Sequence, residues 1–175
     1  MKKLITGSIL LLIAFMSCKK DETTSAVTGS GSATVTAERY GFDGATTGKF
    51  SSTKAGITQV TAAGVTTFSV TAIKDGGTES ITIIILKKIT STGKISFGSA
   101  LANGGMIISK DYTKASDLSL NYSSDRNSKT MTGGGEIVIT KLDGDKVEGT
   151  FNGVCFNNAE KEAYVEQGSF SGTIK

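Results

Sequence analysis

Residues 80–86 have the sequence Ser80-Ile81-Thr82-Ile83-Ile84-Ile85-Leu86, and this stretch decides the fold class. It is rich in β-branched residues, it is apolar on both faces at its centre, and Lys87-Lys88 follow directly. A short apolar run bounded by polar residues is typical of a buried β-strand. The sequence therefore predicts the central strand of a sheet that is covered on both sides, with the lysines at its solvated end.

The segments around this strand alternate between apolar and polar residues with a period of two. In residues 67–72, for example, Phe68, Val70 and Ala72 alternate with threonine and serine. The same pattern recurs at Val35 and Ala37, Ile95 and Phe97, Leu118 to Tyr122, Ile137 and Ile139, Val147 and Phe151, and Phe170 to Ile174. Each of these segments is predicted to be a half-buried strand. Helix-forming residues do not recur at helical spacing, so no helix is expected after the N-terminal segment.

Glycine-containing turns separate the predicted strands. They are Asp75-Gly76-Gly77, Asn103-Gly104-Gly105 and Asp143-Gly144. Asp-Gly and Asn-Gly supply the positive φ that tight hairpins require. Strands about ten residues apart and joined by hairpins predict a single antiparallel all-β domain over residues 34–175, either a β-sandwich or a flattened β-barrel.

The first 18 residues have the pattern of a secretion signal. Met1-Lys2-Lys3 is basic, residues 4–16 are apolar, and Phe15-Met16-Ser17-Cys18 follows. The apolar run is shorter than the roughly 20 residues that a membrane-spanning helix needs. An ordinary secretory signal cleaved near Ser17 is one interpretation. The other is that the stretch resembles a lipoprotein signal, which implies a signal peptide over residues 1–17 and acylation of Cys18 as the mature N-terminus.

A predicted disordered tether over residues 18–33 joins this anchor to the β domain. Lys19-Lys20-Asp21-Glu22 opens it, and residues 23–33 are small or polar and show no periodicity. The charged run could simply solvate a linker. It also resembles the start of Bacteroidota lipoproteins that are exported to the surface, which implies a protein on the outer face of the outer membrane, attached to the membrane through acylated Cys18.

The composition excludes several classes of function. The chain has no histidine, which excludes Ser-His-Asp and Cys-His catalysis and histidine-containing zinc sites. Loss of Lys2 and Lys3 with the signal leaves a nearly neutral mature chain, and no basic cluster contains interleaved aromatic residues, so no nucleic-acid partner is expected. With Cys18 acylated, Cys155 has no cysteine to pair with, and its apolar neighbours predict a buried, unreactive thiol.

Three C-terminal motifs resemble a family of small Bacteroidota cell-surface lipoproteins of unknown function. They are the I-T-x-L-D strand of residues 139–143, the V-x-G-T-F strand of residues 147–151 and the x-G-x-F strand that ends at Phe170. Their glycines and aromatic residues are the kind that pack a sheet. The resemblance therefore implies the fold and the location, and it transfers no catalytic residue and no cofactor.

Two loops superficially match known ligand-binding motifs. Asp143-Gly144-Asp145 resembles the start of a calcium loop, but Lys146 and Val147 stand where further ligands are needed, so a plain turn is expected. Residues 44–49 resemble a phosphate loop, but the glycine spacing is one residue short and no helix follows. No metal and no cofactor is predicted.

The remaining candidate site residues are one carboxylate and the four tyrosines. In an unbroken strand Glu166 would share the inward parity of Phe170, whereas a bulge near Gly168 would turn it outward. The tyrosines could contact a ligand or fill the core, and they are Tyr40, Tyr112, Tyr122 and Tyr164.

Three functions remain open on this evidence. The first is a lipid-anchored, non-catalytic β domain that binds a glycan, a lipid or a protein. The second is a histidine-free glycosidase that uses carboxylates such as Glu166 and Glu148. The third is a structural component of the cell envelope.

Overall fold

A computed structural model describes residues 32–175 of this chain as an all-β domain. The predicted signal peptide, the predicted acylation site Cys18 and all but the last two residues of the predicted tether lie outside the described residues. A short 3₁₀ turn spans Tyr112–Lys114. The strands are β1 (Ala33–Phe42), β2 (Ala45–Ala62), β3 (Val65–Ile73), β4 (Ser80–Ile85), β5 (Gly93–Gly98), β6 (Gly104–Ser109), β7 (Asn121–Ser123), β8 (Gly134–Asp143), β9 (Lys146–Phe156) and β10 (Glu162–Thr173).

The strands form a closed antiparallel barrel. Eight of them pair in a ring in the order β10-β1-β2-β3-β4-β6-β7-β9, and the pairing of β9 with β10 closes it. Strands β8 and β5 extend from the other edge of β9. This confirms the antiparallel all-β class and identifies the barrel rather than the sandwich. Within residues 32–175 no helix is long and apolar enough to cross a membrane.

The predicted alternation of apolar and polar residues sets which side chains face the interior. Val35 and Ala37 of β1 and Phe68, Val70 and Ala72 of β3 are all buried, while their neighbours are more exposed. The barrel interior therefore has one continuous apolar core. An eight-stranded barrel is just wide enough for side chains to fill it.

The predicted two-sided cover of residues 80–86 is wrong. Ile81, Ile83 and Ile85 are buried in the core, but Ile84 on the outer face is only half-buried and Leu86 is 50% exposed. A barrel wall has a core on its inner side only, so half of this apolar run faces outward. The sequence of this segment therefore predicted the strand correctly, but its prediction of a layer covering the outer face was wrong.

The predicted turns are present, but one of them does not join paired strands. Asp143-Gly144 lies in the tight hairpin between β8 and β9, and Asp75-Gly76-Gly77 lies between β3 and β4. At Asn103-Gly104 the chain turns, yet β5 pairs with β8 while β6 pairs with β4 and β7.

Two hairpins were not predicted, and one predicted strand is shorter than expected. The hairpins are at Asp43-Gly44 and Ala63-Gly64, where both residues have positive φ. In the predicted strand from Leu118 to Tyr122, only the last two residues are extended.

The C-terminal motifs form two glycine–phenylalanine pairs across neighbouring strands. Gly149 of β9 pairs with Phe170 of β10, and Phe151 of β9 pairs with Gly168 of β10. A Cβ atom at Gly149 would lie 2.4 Å from the ring of Phe170, and one at Gly168 would lie 2.5 Å from the ring of Phe151. Each ring covers the glycine opposite, so these motifs have a packing role.

Candidate functional site

The barrel interior is occupied by the protein's own side chains. Its largest fully buried side chains include Tyr40, Phe50, Phe68 and Tyr122, and the buried residues form one cluster across the barrel. The interior is therefore a packed core and not a lumen for a lipid-like ligand.

Tyr40 is one of the predicted ligand contacts, and its phenol is engaged by the protein itself. The hydroxyl donates to Glu79 Oε2 at 2.9 Å and accepts from Lys74 Nζ, which also pairs with Glu79 at 2.9 Å. Burial raises the pKa of the Tyr40 phenol, with opposing effects of Lys74 and Glu79. Tyr40 thus belongs to a polar cluster that closes one end of the barrel.

Tyr122 belongs to a second cluster of the same composition at this end. Its hydroxyl donates to Asp43 Oδ1 at 3.0 Å, and Lys110 Nζ donates to Asp43 Oδ2 at 2.6 Å. Lys110 also lies over the rings of Phe42 and Tyr122, at 5.3 Å and 5.5 Å. Burial favours the neutral carboxyl, but the hydrogen bonds from Lys110 and Tyr122 outweigh it and lower the pKa of Asp43. Both clusters are satisfied internally, and we call this end of the barrel the closed end.

The other two tyrosines lie apart from these clusters and from each other along the chain. Tyr112 is in the 3₁₀ turn, partly exposed, and its amide donates to the carbonyl of Thr78. Tyr164 is on β10, and its hydroxyl lies 2.6 Å from Thr46 Oγ1. Two of the four tyrosines are thus buried, and the four do not form an open aromatic platform for a sugar.

Glu166 points outward because β10 contains a bulge. Val165 pairs with Gly153 and Gly168 pairs with Phe151, so β10 has one residue more than β9 between these pairs. Gln167 takes up the extra length with φ of 51°. Glu166 instead forms an ion pair with Arg39 on β1, at 3.0 Å. The inward direction expected of an unbroken strand is therefore wrong, and the bulge is present.

The carboxylate pair of the glycosidase hypothesis does not converge. Glu148 is exposed and pairs with Lys141 at 3.0 Å. Its strand partner on β10 is Ser171, five residues from Glu166. At ~3.3 Å per residue the two carboxylates are separated by roughly 16 Å. Inverting glycosidases need about 6.5–9.5 Å and retaining ones less.

The outer wall of the barrel is divided by charge. Strands β3, β4, β6 and β7 contain no Asp, Glu, Lys or Arg. Strands β1, β2, β9 and β10 of the ring and the attached strands β8 and β5 instead carry cross-strand ion pairs, namely Lys49–Glu38, Arg39–Glu166, Lys141–Glu148 and Lys94–Glu136. We call the outward face of β3, β4, β6 and β7 the uncharged wall. Residues that pair across these strands form rows of hydroxyl and aliphatic side chains. One such row consists of Thr71, Thr82, Ile107 and Ser123.

A groove of about 390 Å³ crosses the uncharged wall beside the loop from β5 to β6. Its apolar lining includes Ile84, Leu86, Leu101 and Ile107. The last three are 50%, 44% and 41% exposed. An exposed groove with apolar walls is a candidate interaction site. We call this feature the wall groove.

One carboxylate stands at the side of the wall groove. Asp125 follows β7 and lines the groove, and a Cβ atom at Gly105 on its floor would lie 3.1 Å from Asp125 Oδ1. Asp125 is exposed and forms none of the ion pairs found in residues 32–175. The groove thus combines apolar walls with a carboxylate that lacks an ionic partner.

The other candidate sites of the sequence have structural roles. Asp143-Gly144-Asp145 is at a hairpin, and residues 44–49 form a turn and the start of β2. In the part of the chain that the structure describes, no group of three or more Cys, Asp or Glu could hold a metal ion. The Cys155 thiol is buried and its Sγ lies 3.5 Å from the Met106 carbonyl oxygen, and burial raises its pKa.

The wall groove was not among the candidates of the sequence analysis. The available signal was the lack of charge in four segments, residues 65–73, 80–85, 104–109 and 121–123. These segments are separated in sequence by charged loops, and only the strand order places them side by side.

Comparison with protein-family models, with curated proteins and with solved structures found no match to this chain. The resemblance of its C-terminal motifs to Bacteroidota lipoproteins therefore stays a prediction.

Proposed function

We propose that this protein is a lipid-anchored outer-membrane lipoprotein, displayed on the cell surface, whose β-barrel binds a partner without catalysis. The anchor is acylated Cys18, and the binding surface is the uncharged wall with its groove. The N-terminal pattern of the sequence supports the anchor. The wall groove is the single observation that carries the binding function.

Among a glycan, a lipid and a protein, the geometry favours a protein partner. The interior is packed, which leaves no space there for an acyl chain. The tyrosines form no stacking platform, whereas the uncharged wall offers aliphatic side chains and hydroxyl groups across four strands. Exposed aliphatic surface with a few polar groups is the composition of a protein interface core.

The anchor and its location are tested on the mature protein. Mass spectrometry of the N-terminal peptide should find Cys18 carrying acyl chains. Protease added to intact cells should then cleave the wild-type protein, whereas a Cys18→Ala variant should be lost from the membrane fraction. Protection of the wild-type protein in intact cells would place it on the periplasmic side and contradict surface display.

The binding surface is tested by crosslinking from the wall groove. A photoreactive amino acid at Leu101 should capture a defined protein partner on the cell surface, and the same group at Leu118 should not, because Leu118 is equally exposed but lies outside the groove. An Ile107→Lys substitution in the groove should abolish capture. Equal capture from both positions would contradict a partner site in the groove.

A further inference from the structure

The chain enters the barrel at the end opposite to the closed end. Ala33, the first residue of β1, pairs with Ala55 of β2 and Gly172 of β10. The C-terminal residues lie at the same end, where Ile174 bridges to Ile57 and the Lys175 amide donates to the Ile57 carbonyl. We call this the tether end, because the predicted tether joins the barrel there.

A two-stranded hairpin projects from the tether end. Strand β4 ends opposite Phe68, and the C-terminal residues bond to the other edge of β2 as far as Gln59, so residues 60–62 and 65–67 pair only with each other. At ~3.3 Å per residue this extension reaches about 10 Å beyond its neighbours. Its tip, residues 60–67, contains no charged residue. Val60 and Val65 share its outer face and are 57% and 54% exposed.

Two lysines flank this hairpin. Lys87 and Lys88 follow β4, the strand next to the hairpin, after Leu86, and both are exposed. Neither takes part in an ion pair within residues 32–175, whereas Lys74 and Lys110 at the closed end are both paired with carboxylates. The tether end therefore presents an uncharged tip with two exposed valines beside two exposed lysines that form no ion pair in the described part of the chain.

We propose that the tether end rests on an anionic lipid surface, with the hairpin tip at the interface and Lys87 and Lys88 on lipid headgroups. This proposal rests on the anchor of the proposed function. A chain as long as the predicted tether has an r.m.s. reach of about 20 Å, which keeps this end of the barrel next to the bilayer. Apolar side chains that enter the headgroup region and lysines that bind anionic lipids are the two components of interfacial attachment.

The hairpin contact orients the barrel on the membrane. A tether alone permits any orientation of the barrel. A second contact at the tether end holds the barrel upright, with its axis pointing away from the bilayer surface. The closed end then points outward, and the uncharged wall stands at the side of the barrel, accessible to a partner beside it.

The test replaces biological acylation by chemical coupling. The chain from residue 18 onward contains every strand of the barrel. Its Cys18 thiol is coupled to a maleimide lipid, while the buried Cys155 thiol is protected in the folded state. The vesicles are phosphatidylcholine with or without phosphatidylglycerol. Because the chain has no tryptophan, a Val65→Trp variant is a reporter at a single site, and Leu118→Trp near the closed end is its matched control.

On vesicles with phosphatidylglycerol, Val65→Trp emission should shift to the blue and be quenched by lipids with a nitroxide in the headgroup. Leu118→Trp emission should be unchanged. Adding Lys87→Glu and Lys88→Glu to Val65→Trp should lower the ratio of docked to undocked protein by about tenfold or more, because each lysine near an anionic surface contributes ~1 kcal/mol. The control charge reversals, Lys129→Glu with Lys161→Glu, should leave it unchanged.

Unshifted Val65→Trp emission on coupled vesicles, or equal shifts at both reporter positions, would overturn the proposal. The outcome is independent of the anchor experiment, since the coupling does not require acylation in cells. A bare Cys18 in the mature protein would contradict the proposed anchor and leave this measurement intact.

Discussion

At the residue scale, the Ser52 hydroxyl is the one buried polar side-chain group in residues 32–175 that has no hydrogen-bond partner. A buried hydroxyl without a partner loses its hydration and gains nothing in return, at a cost of about 1–3 kcal/mol. We expect Ser52→Ala to raise the free energy of unfolding by about 1 kcal/mol in a urea titration.

Ser124 provides the matched control for this measurement. It is also fully buried, but its hydroxyl accepts a hydrogen bond from the Met106 amide at 2.8 Å. Ser124→Ala should therefore lower the free energy of unfolding by about 1–3 kcal/mol, because it leaves the amide unpaired. A loss of stability in Ser52→Ala would show that its hydroxyl is bonded after all.

Gly149 is required because an aromatic ring and a backbone carbonyl occupy the space of a side chain. A Cβ atom there would lie 2.4 Å from the Phe170 ring and 2.5 Å from the Val138 carbonyl oxygen. We expect Gly149→Ala to lower the free energy of unfolding by about 1–3 kcal/mol, the usual effect of overpacking. Gly77→Ala is the control, since its nearest neighbour would be 3.7 Å away, and a thermal melt of both variants decides the point.

At the scale of single elements, the bulge in β10 keeps both halves of the strand facing the core. Val165 and Gly168 are both buried although they are three residues apart, and the two residues between them are exposed. On β1 the matching exposed pair is Glu38 and Arg39. The two strands therefore change face together and keep their own pairing.

Deletion of Gln167 should destroy the fold, because one half of β10 would then turn its buried residues outward. Gln167→Gly should instead raise the free energy of unfolding by up to about 1 kcal/mol, because a non-glycine residue in the left-handed region is strained. Circular dichroism during urea unfolding measures both variants. A stable, cooperative deletion variant would show that the bulge is dispensable.

The cluster of Asp43, Lys110 and Tyr122 makes stability depend on pH. The hydrogen bonds of the folded state hold the pKa of Asp43 below its ordinary value, despite burial. Its contribution is therefore complete above the unfolded-state pKa of about 3.9 and is lost as the pH falls through the lower folded value. We expect Asp43→Asn to be less stable than wild type at neutral pH, and the difference to shrink in acid.

Asparagine tolerates the positive φ of position 43, so this variant tests charge and not backbone strain. In a Lys110→Gln background the Asp43→Asn substitution should have a much smaller effect at neutral pH. Urea titrations across the acid range measure both pairs. A difference between wild type and Asp43→Asn that stays constant with pH would contradict the ionic origin of the stability.

At the scale of the whole molecule, the single continuous core predicts cooperative unfolding. The Cys155 side chain is fully buried within this core, so a reagent cannot reach its thiol in the folded state. In a Cys18→Ser chain we expect a thiol reagent to react with Cys155 only through global unfolding, with an opening free energy equal to that from urea titration. A markedly lower value would reveal a subglobal opening of β9.

The division of charge around the barrel is also a property of the whole molecule. One set of strands carries exposed ion pairs, while the uncharged wall has mainly hydroxyl and aliphatic side chains. No single strand forms either surface, because each surface depends on the order in which the strands pair around the ring.

Much of the fold could be predicted from local patterns. The alternation at Phe68, Val70 and Ala72 and at Ile137 and Ile139 specified strands and their buried faces, because side chains alternate with the same period as the pleat. The failures have a common cause in tertiary structure. Leu118 was predicted to be in a strand and lies in a loop. Ile84 and Leu86 are on the outer face, because an apolar sequence pattern does not show whether a second layer covers the strand.

The sequence by itself determined that this chain forms antiparallel strands with tight glycine turns and that histidine-dependent chemistry is excluded. Only the tertiary structure decided that the strands close into a barrel, that Glu166 points outward and that the tyrosines of the closed end are buried. It also decided that four uncharged segments lie side by side and form the wall that the groove crosses. The physical reason is that periodicity and turn chemistry act over a few residues, whereas strand order, a bulge and a shared surface depend on contacts between residues far apart in the chain.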